Sequence, residues 1–196
     1  MSFCGTIGDM STVKVILLVG MPGAGKSFCV KHLENMGWPS VYFGGITVDE
    51  VTARGLDVNE VNEKMVREEL RASEGPGVMA TRIIAKIDTL AAEGHPIIIA
   101  DGLYSWTEYK IFKERYGDNA IVIAVATARH VRHERLANRP VRPLSDEQVT
   151  AREYAEIENI EKGGPIANAD YTITNDTTEA ALLSQLDTII TSSGLA

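Results

Sequence analysis

Sulphur is scarce in this sequence, and long apolar runs are missing from it. Two cysteines among 196 residues, Cys4 and Cys29, are too few for a disulfide framework. The fold must rest on an ordinary core, and a reducing, cytoplasmic setting is expected. No stretch approaches the ~20 apolar residues that cross a bilayer. The opening MSFCGTIGDMST has no charged segment leading into an apolar one of the secretory type, so neither secretion nor membrane insertion is expected. Basic residues are also in deficit, 19 against 27 acidic, for a formal charge of −8. A field of that sign repels phosphate polymers, which argues against nucleic acid as a partner. Any small anionic substrate must then be gathered by a local cluster of cations. Internal repeats and Gln, Asn or Pro tracts are absent too, so nothing reads as a solenoid or a low-complexity arm.

What is present fits one domain over residues 1–196, with residues 1–12 as a tail. Short runs rich in Val and Ile alternate with segments of helical periodicity, the pattern of βαβ units around a parallel sheet. Strands are expected at Val13–Val19, Ser40–Phe43, Pro96–Ala100, Ala120–Ala126 and Tyr171–Thr174. Helices are expected at Lys26–Met36, Val58–Ser73, Val78–Glu93, Thr107–Arg115, His130–Asn138, Asp146–Lys162 and Thr178–Ser192. Asp57, Ser145 and Thr177 stand where N-caps belong, and Gly37, Gly94 and Gly117 where helices end. Residues 139–145, RPVRPLS, interrupt the helical pattern with two prolines and two arginines and read as a loop.

The stretch GMPGAGKS satisfies G-x-x-x-x-G-K-[ST], with an apolar strand before it and a helix after it. Gly20, Met21, Pro22, Gly23, Ala24 and Gly25 form the expected cradle. Its glycines let the backbone turn tightly and aim N–H groups at phosphate oxygens. Lys26 then reaches the β- and γ-phosphates, the Ser27 hydroxyl is an expected Mg²⁺ ligand, and Phe28 follows on the first helical turn.

The third strand ends in IIIADG, which places Asp101 at its carboxyl end, where a parallel sheet presents ligands and a carboxylate can hold the Mg²⁺ shell. The next residue is Gly102, whereas motor-type ATPases carry a water-orienting glutamate there. No N-K-x-D element for guanine occurs either. Transfer to a small acceptor is what these features leave. Arg132, Arg135, Arg139 and Arg142 recur at three- and four-residue steps, the first three sharing a helix face that runs into RPVR. In an acidic chain such a stripe offers planar donors to a transferring phosphoryl group, and the proline-broken segment reads as a closing lid.

On GMPGAGKS, IIADG, RHERLANRPVR with Arg152-Glu153, and ADYTITND, the sequence resembles the nucleoside monophosphate kinase-like branch of P-loop kinases. Within it, the small adenylate kinase-related and dephospho-coenzyme A kinase-like ATPases are the nearest, and the resemblance spans about Val13 to Ile190. It implies a three-layer α/β/α domain with a five-stranded parallel sheet, ATP and Mg²⁺ as cofactors, and a short lid around Arg139 and Arg142. It also implies Arg135 against the adenine, Arg139 near the phosphates and Asn175 in the base pocket.

The acceptor side departs from that family. Val48 and Tyr104 stand where relatives carry arginines for an acceptor phosphate, with Arg54 or Arg82 as substitutes. A hydroxyl acceptor calls for a carboxylate base. Asp49 and Glu50 are candidates for it, and equally for acidic residues that stabilise a helix start. Three readings stay open: a nucleotide-like acceptor, a dephospho-coenzyme A-like hydroxyl acceptor, and a regulatory ATPase on a kinase scaffold. Cys29 and the C-terminal helix read as packing, and His130 and His133 as lacking carboxylate partners.

Overall fold

The computed structural model describes residues 13–195, so the expected tail and Cys4 lie outside the described residues. The Val- and Ile-rich runs form β1 (Lys14–Val19), β2 (Ser40–Tyr42), β3 (Ile97–Asp101), β4 (Ala120–Ala126) and β5 (Tyr171–Thr174). They lie in the order β2-β3-β1-β4-β5, every pairing parallel. Both faces of the sheet are covered, as a parallel sheet requires. Val15, Leu17 and Val19 pack into one core with Ile98 and Val122, while Ile16 and Leu18 join Ile99 and Ile123 in the other. Register then positions the site: Leu18 faces Asp101 across β1 and β3, so the loop leaving β1 starts beside that aspartate.

Around the sheet lie α1 (Lys26–Asn35), α2 (Phe43–Ala53), α3 (Glu60–Glu74), α4 (Val78–Ala92), α5 (Trp106–Tyr116), α6 (Arg129–Asn138), α7 (Asp146–Glu158), α8 (Gly163–Ala167) and α9 (Glu179–Ser192). The expected three-layer α/β/α architecture is the one observed. Ser145 caps α7 in a box with Gln148, and Gly37, Gly94 and Gly117 take positive φ at helix ends.

Several boundaries differ from expectation. Asn59, two residues past Asp57, caps α3 by accepting from the Asn62 N–H, and Thr178 rather than Thr177 caps α9. The segment after β2, where no helix is expected before Val58, is helical from Phe43, because Phe43, Ile46, Thr47 and Val51 bury one face despite the glycine pair. The Tyr42 phenol lies where a Cβ on Gly44 would stand, so a larger residue there would push that exposed ring aside. The segment read as one helix to Lys162 ends at Glu158 and restarts as α8, with Glu161 between them in the left-handed region at φ 54.

His133, expected to lack carboxylate partners, has two. One ring nitrogen meets Asp146 and the other Glu153 at 3.4 Å. Glu153 is buried and also accepts from Arg129 Nε at 2.9 Å and Arg132 at 2.5 Å, so one carboxylate fastens α7 to α6. Deleting it strands the Arg132 guanidinium, whose side chain is only 12% exposed. Glu153→Ala should therefore lower the unfolding free energy by about 3 kcal/mol in a urea titration. Arg129→Ala, which removes a half-exposed partner, should cost under about 1 kcal/mol.

Candidate functional site

Past Val19 the chain turns through glycines that no other residue could replace. Gly23 has φ 77, and a Cβ there would lie 2.9 Å from the Arg132 carbonyl oxygen; Gly25 has φ 97, and its Cβ would strike the Asn175 amide. Gly25 is also the N-cap of α1, a helix with no side-chain cap and no acidic residue in its first turn. Its first N–H groups and the positive end of its dipole are thus left for an anion. The loop is braced from outside: the Ala24 carbonyl accepts from Asn175 Nδ2 at 2.8 Å and from the Thr127 hydroxyl at 3.0 Å.

Lys26 Nζ folds back to donate to the Gly20 and Met21 carbonyls at 2.8 and 3.5 Å. Burial, with the nearby Lys162 charge adding to it, lowers its pKa to about 8. Ser27 and Phe28 are exposed on the first turn of α1. Asp101 stands at the end of β3, its carboxyl raised above the usual range by burial, with the Lys26 ammonium opposing that shift. The donor set fits a Mg²⁺–nucleotide: an uncapped helix start and a lysine for phosphates, and a hydroxyl and a carboxylate for a hard cation.

Beyond Asp101 the site continues through the expected Tyr104 into residues that the sequence reading missed. Tyr104 arches over Gly102, and its phenol faces Tyr42, Glu156 and Asp101. Lys162, 2% exposed, donates to Glu156 Oε2 at 2.6 Å and sits 4.6 Å from the Tyr104 ring centroid. Glu156 also accepts from Arg152 Nε at 3.1 Å. Glu108 accepts through Oε2 from the Tyr104 and Ser105 N–H groups at 2.9 and 3.0 Å, while its buried Oε1 has no partner. Burial raises its carboxyl, with Arg71 and Lys162 pulling the other way. The Ser105–Glu108 capping box is written in the sequence as S-x-x-E. Lys162, Glu156 and Arg71 carry no local signature; packing alone brings them here.

The lid arginines divide. Arg132 donates to the Thr127 carbonyl at 2.6 Å and to Glu153, which makes it a brace of α6 against α7. Arg135 approaches Asn175 Oδ1 at 3.4 Å, and its other terminal nitrogen is buried without a partner beside the cradle. Arg139 lies just past α6, not on its face, and donates from Nε to the Arg142 carbonyl at 2.5 Å. Arg142, at φ 52, points to Glu63 of α3 at 3.7 Å.

The acceptor-side carboxylates are engaged elsewhere. Asp49 pairs with Lys86 at 2.7 Å, and Glu50 pairs with both Arg54 and Arg82 at 3.0 and 2.8 Å. Arg54 and Arg82 continue to Glu69 and Glu74. These four residues lace α2 to α3 and α4 and join neither Lys26 nor Asp101. Of the expected acceptor group, Tyr104 alone is part of the cluster.

A lysine with its pKa near 8 must gain a proton when phosphates surround it. At about pH 8.5, calorimetry in buffers of different ionisation enthalpy should show ATP binding with uptake of most of one proton. Near about pH 6.5, where the ammonium is already formed, uptake should vanish. Lys26→Met should abolish the difference.

Comparison with known proteins places this geometry. A family model described as "AAA domain" matches residues 16–160. A "UPF0200 protein" from Thermococcus onnurineus is 35% identical over 83% of this chain and 88% of its own length. One from Hyperthermus butylicus is 33% identical over 83% and 85%. Among solved structures, a Thermus thermophilus protein superposes with TM-score 0.65 at 18% identity, covering 92% of this chain and 97% of that one. Shikimate kinase from Acinetobacter baumannii gives 0.55 at 21%, covering 94% and 96%. These likenesses establish the α/β/α fold of P-loop kinases. Among the described residues no helix is long and apolar enough to cross a membrane. With an AAA-domain match over most of its length and relatives above 30% identity, this chain belongs to the UPF0200 proteins.

Proposed function

We propose that this protein is an ATP- and Mg²⁺-dependent small-molecule kinase acting on a nucleotide or nucleotide-like acceptor. One observation carries the reading: the Lys26–Asp101 pair of the donor side adjoins a second group of cations on the far side of Asp101. Arg152 and Arg71 both act electrostatically on Tyr104 there. They stand in for the family arginines that Val48 and Tyr104 replace, and they offer planar forks to an acceptor anion. A nucleotide-holding switch would need only the donor side.

In this reading the cradle N–H groups hold the nucleotide phosphates, and Lys26 leaves the Gly20 carbonyl to span the β- and γ-phosphates. Ser27 and Asp101 would hold Mg²⁺, which supplies charge neutralisation between those phosphates. Asn175 and Arg135 edge the base pocket. Arg139 and Arg142 close over the phosphates as the lid. The acceptor oxygen forms its bond to the γ-phosphorus as the bond to the β–γ bridging oxygen breaks, and ADP leaves. Most of the rate then comes from positioning and from fixed positive charge. The dephospho-coenzyme A-like reading loses its expected base, since Asp49 and Glu50 are held by cations of α2 and α4.

Incubation with ATP, Mg²⁺ and a panel of nucleosides, nucleoside monophosphates and dephospho-coenzyme A tests this reading. Acceptor-dependent ADP is expected with a nucleotide-like member and is lost in Lys26→Ala. ADP release that no acceptor raises points to the regulatory ATPase instead. Arg139→Ala should lower turnover by about 10³-fold and nucleotide affinity far less. Equal losses would remove Arg139 from the lid role.

A further inference from the structure

Resting on the phosphotransferase reading, we propose that Lys162, held by Glu156, is a second resident cation at the transfer position and binds the transferring phosphoryl group opposite Lys26. Four observations converge on it. Lys162 is among the most buried side chains of the protein, although it carries a charge that water would solvate strongly. The ammonium has one carboxylate partner, Glu156 at 2.6 Å, and that carboxylate is shared with Arg152. Its other face lies on the Tyr104 ring, whose edge covers Gly102 directly after Asp101. The residue before it, Glu161, holds a left-handed backbone that an unconstrained glutamate would avoid, and this turn directs Lys162 inward.

Charge balance says what is missing. Around the end of β3, Lys26, Lys162 and Arg152 face Asp101 and Glu156, with Glu108 also acting on Lys162, Glu34 on Asp101 and Glu60 on Arg152. Glu108 lies further along and is matched by Arg71. Two ammonium groups and the half-exposed Arg152 thus gather near one strand end, an arrangement complementary to phosphoryl oxygens. The two lysines act on each other as like charges, and a phosphoryl group set between them relieves that repulsion. Lys162 needs no lid movement to be in place, unlike Arg139 and Arg142, so its charge is fixed before the substrates arrive. As a phosphoryl group carries its negative charge through the transition state, a cation fixed at that point gains most there.

The test uses Mg²⁺, ADP and fluoroaluminate, which together mimic the transferring group without any acceptor. Wild type, Lys162→Met and Lys162→Arg are each titrated with ADP alone and with the mimic, and thermal melts are recorded on the same samples. Lys162→Met should keep ADP affinity within about threefold while losing at least ~10²-fold in affinity for the mimic, with partial recovery in Lys162→Arg. A purely structural lysine would weaken both together or neither, and either result overturns the proposal. So does a wild type that binds ADP and never traps fluoroaluminate. Should Lys162→Met not fold because Glu156 is stranded, Lys162→Met/Glu156→Gln removes both charges and is read by the same split. Failure of the kinase reading would look different: fluoroaluminate trapping that depends on Lys162, with no acceptor raising ADP release.

Discussion

Two buried ammonium groups near one strand end are the constraint on which the rest of this site depends. Neither Lys26 nor Lys162 has enough protein oxygen around it. Lys26 borrows carbonyls of its own loop, and Lys162 shares the Glu156 carboxylate with Arg152. Such an arrangement persists only if the surrounding fold holds it rigidly. The parallel register of β1 and β3 supplies the first restraint, because it fixes Asp101 beside the start of the cradle. The Glu153 fastening of α7 to α6 supplies the second, because Arg152 directly before it and Glu156 three residues on ride on the same helix. The cradle is held to α6 in turn, through Gly23 against the Arg132 backbone. Disturbing any of these contacts moves the charges relative to one another.

What could be read from the chain follows from the range of the forces involved. The cradle, the five strands and the capping boxes are local: each is decided by residues within a few positions, so GMPGAGKS, IIIAD and S-x-x-E announce themselves. Asn175 was named only through the family resemblance, and its bond to the Ala24 carbonyl, 151 positions away, has no local signature. Lys162 was not legible, for it reads as the last residue of an apparently continuous helix. Only the left-handed Glu161 and the packing of Trp106 on Gly164 show that the chain breaks there and turns inward. Asp49 and Glu50 misled for the opposite reason. Their chemistry suited a base, but the cations that neutralise them stand on α4, more than 30 positions away.

The two halves of the site differ in how firmly they are held. On the donor side the groups that brace the cradle are buried and partnered, from the Ala24 carbonyl with two donors to Glu153 with three. On the α2–α4 side the links are ion pairs with half-exposed side chains, each worth little in water and easily remade. The ion pair from residues 139–145 to α3, Arg142 to Glu63, is long, and its guanidinium is more than half exposed. Motion therefore costs least where an acceptor must enter and leave, and most where the nucleotide phosphates must be met by fixed charge.

That asymmetry bears on why a lysine rather than a lid arginine is kept beside Asp101. A guanidinium on a moving loop reaches the phosphates only after closure, and its contribution is reduced by the cost of ordering the loop. An ammonium already buried against Tyr104 has met its desolvation cost during folding, through Glu156 and the core around it. In the proposed kinase the lid would then be free to select the acceptor and exclude water, while the charge that the transferring group needs stays with the rigid half of the molecule.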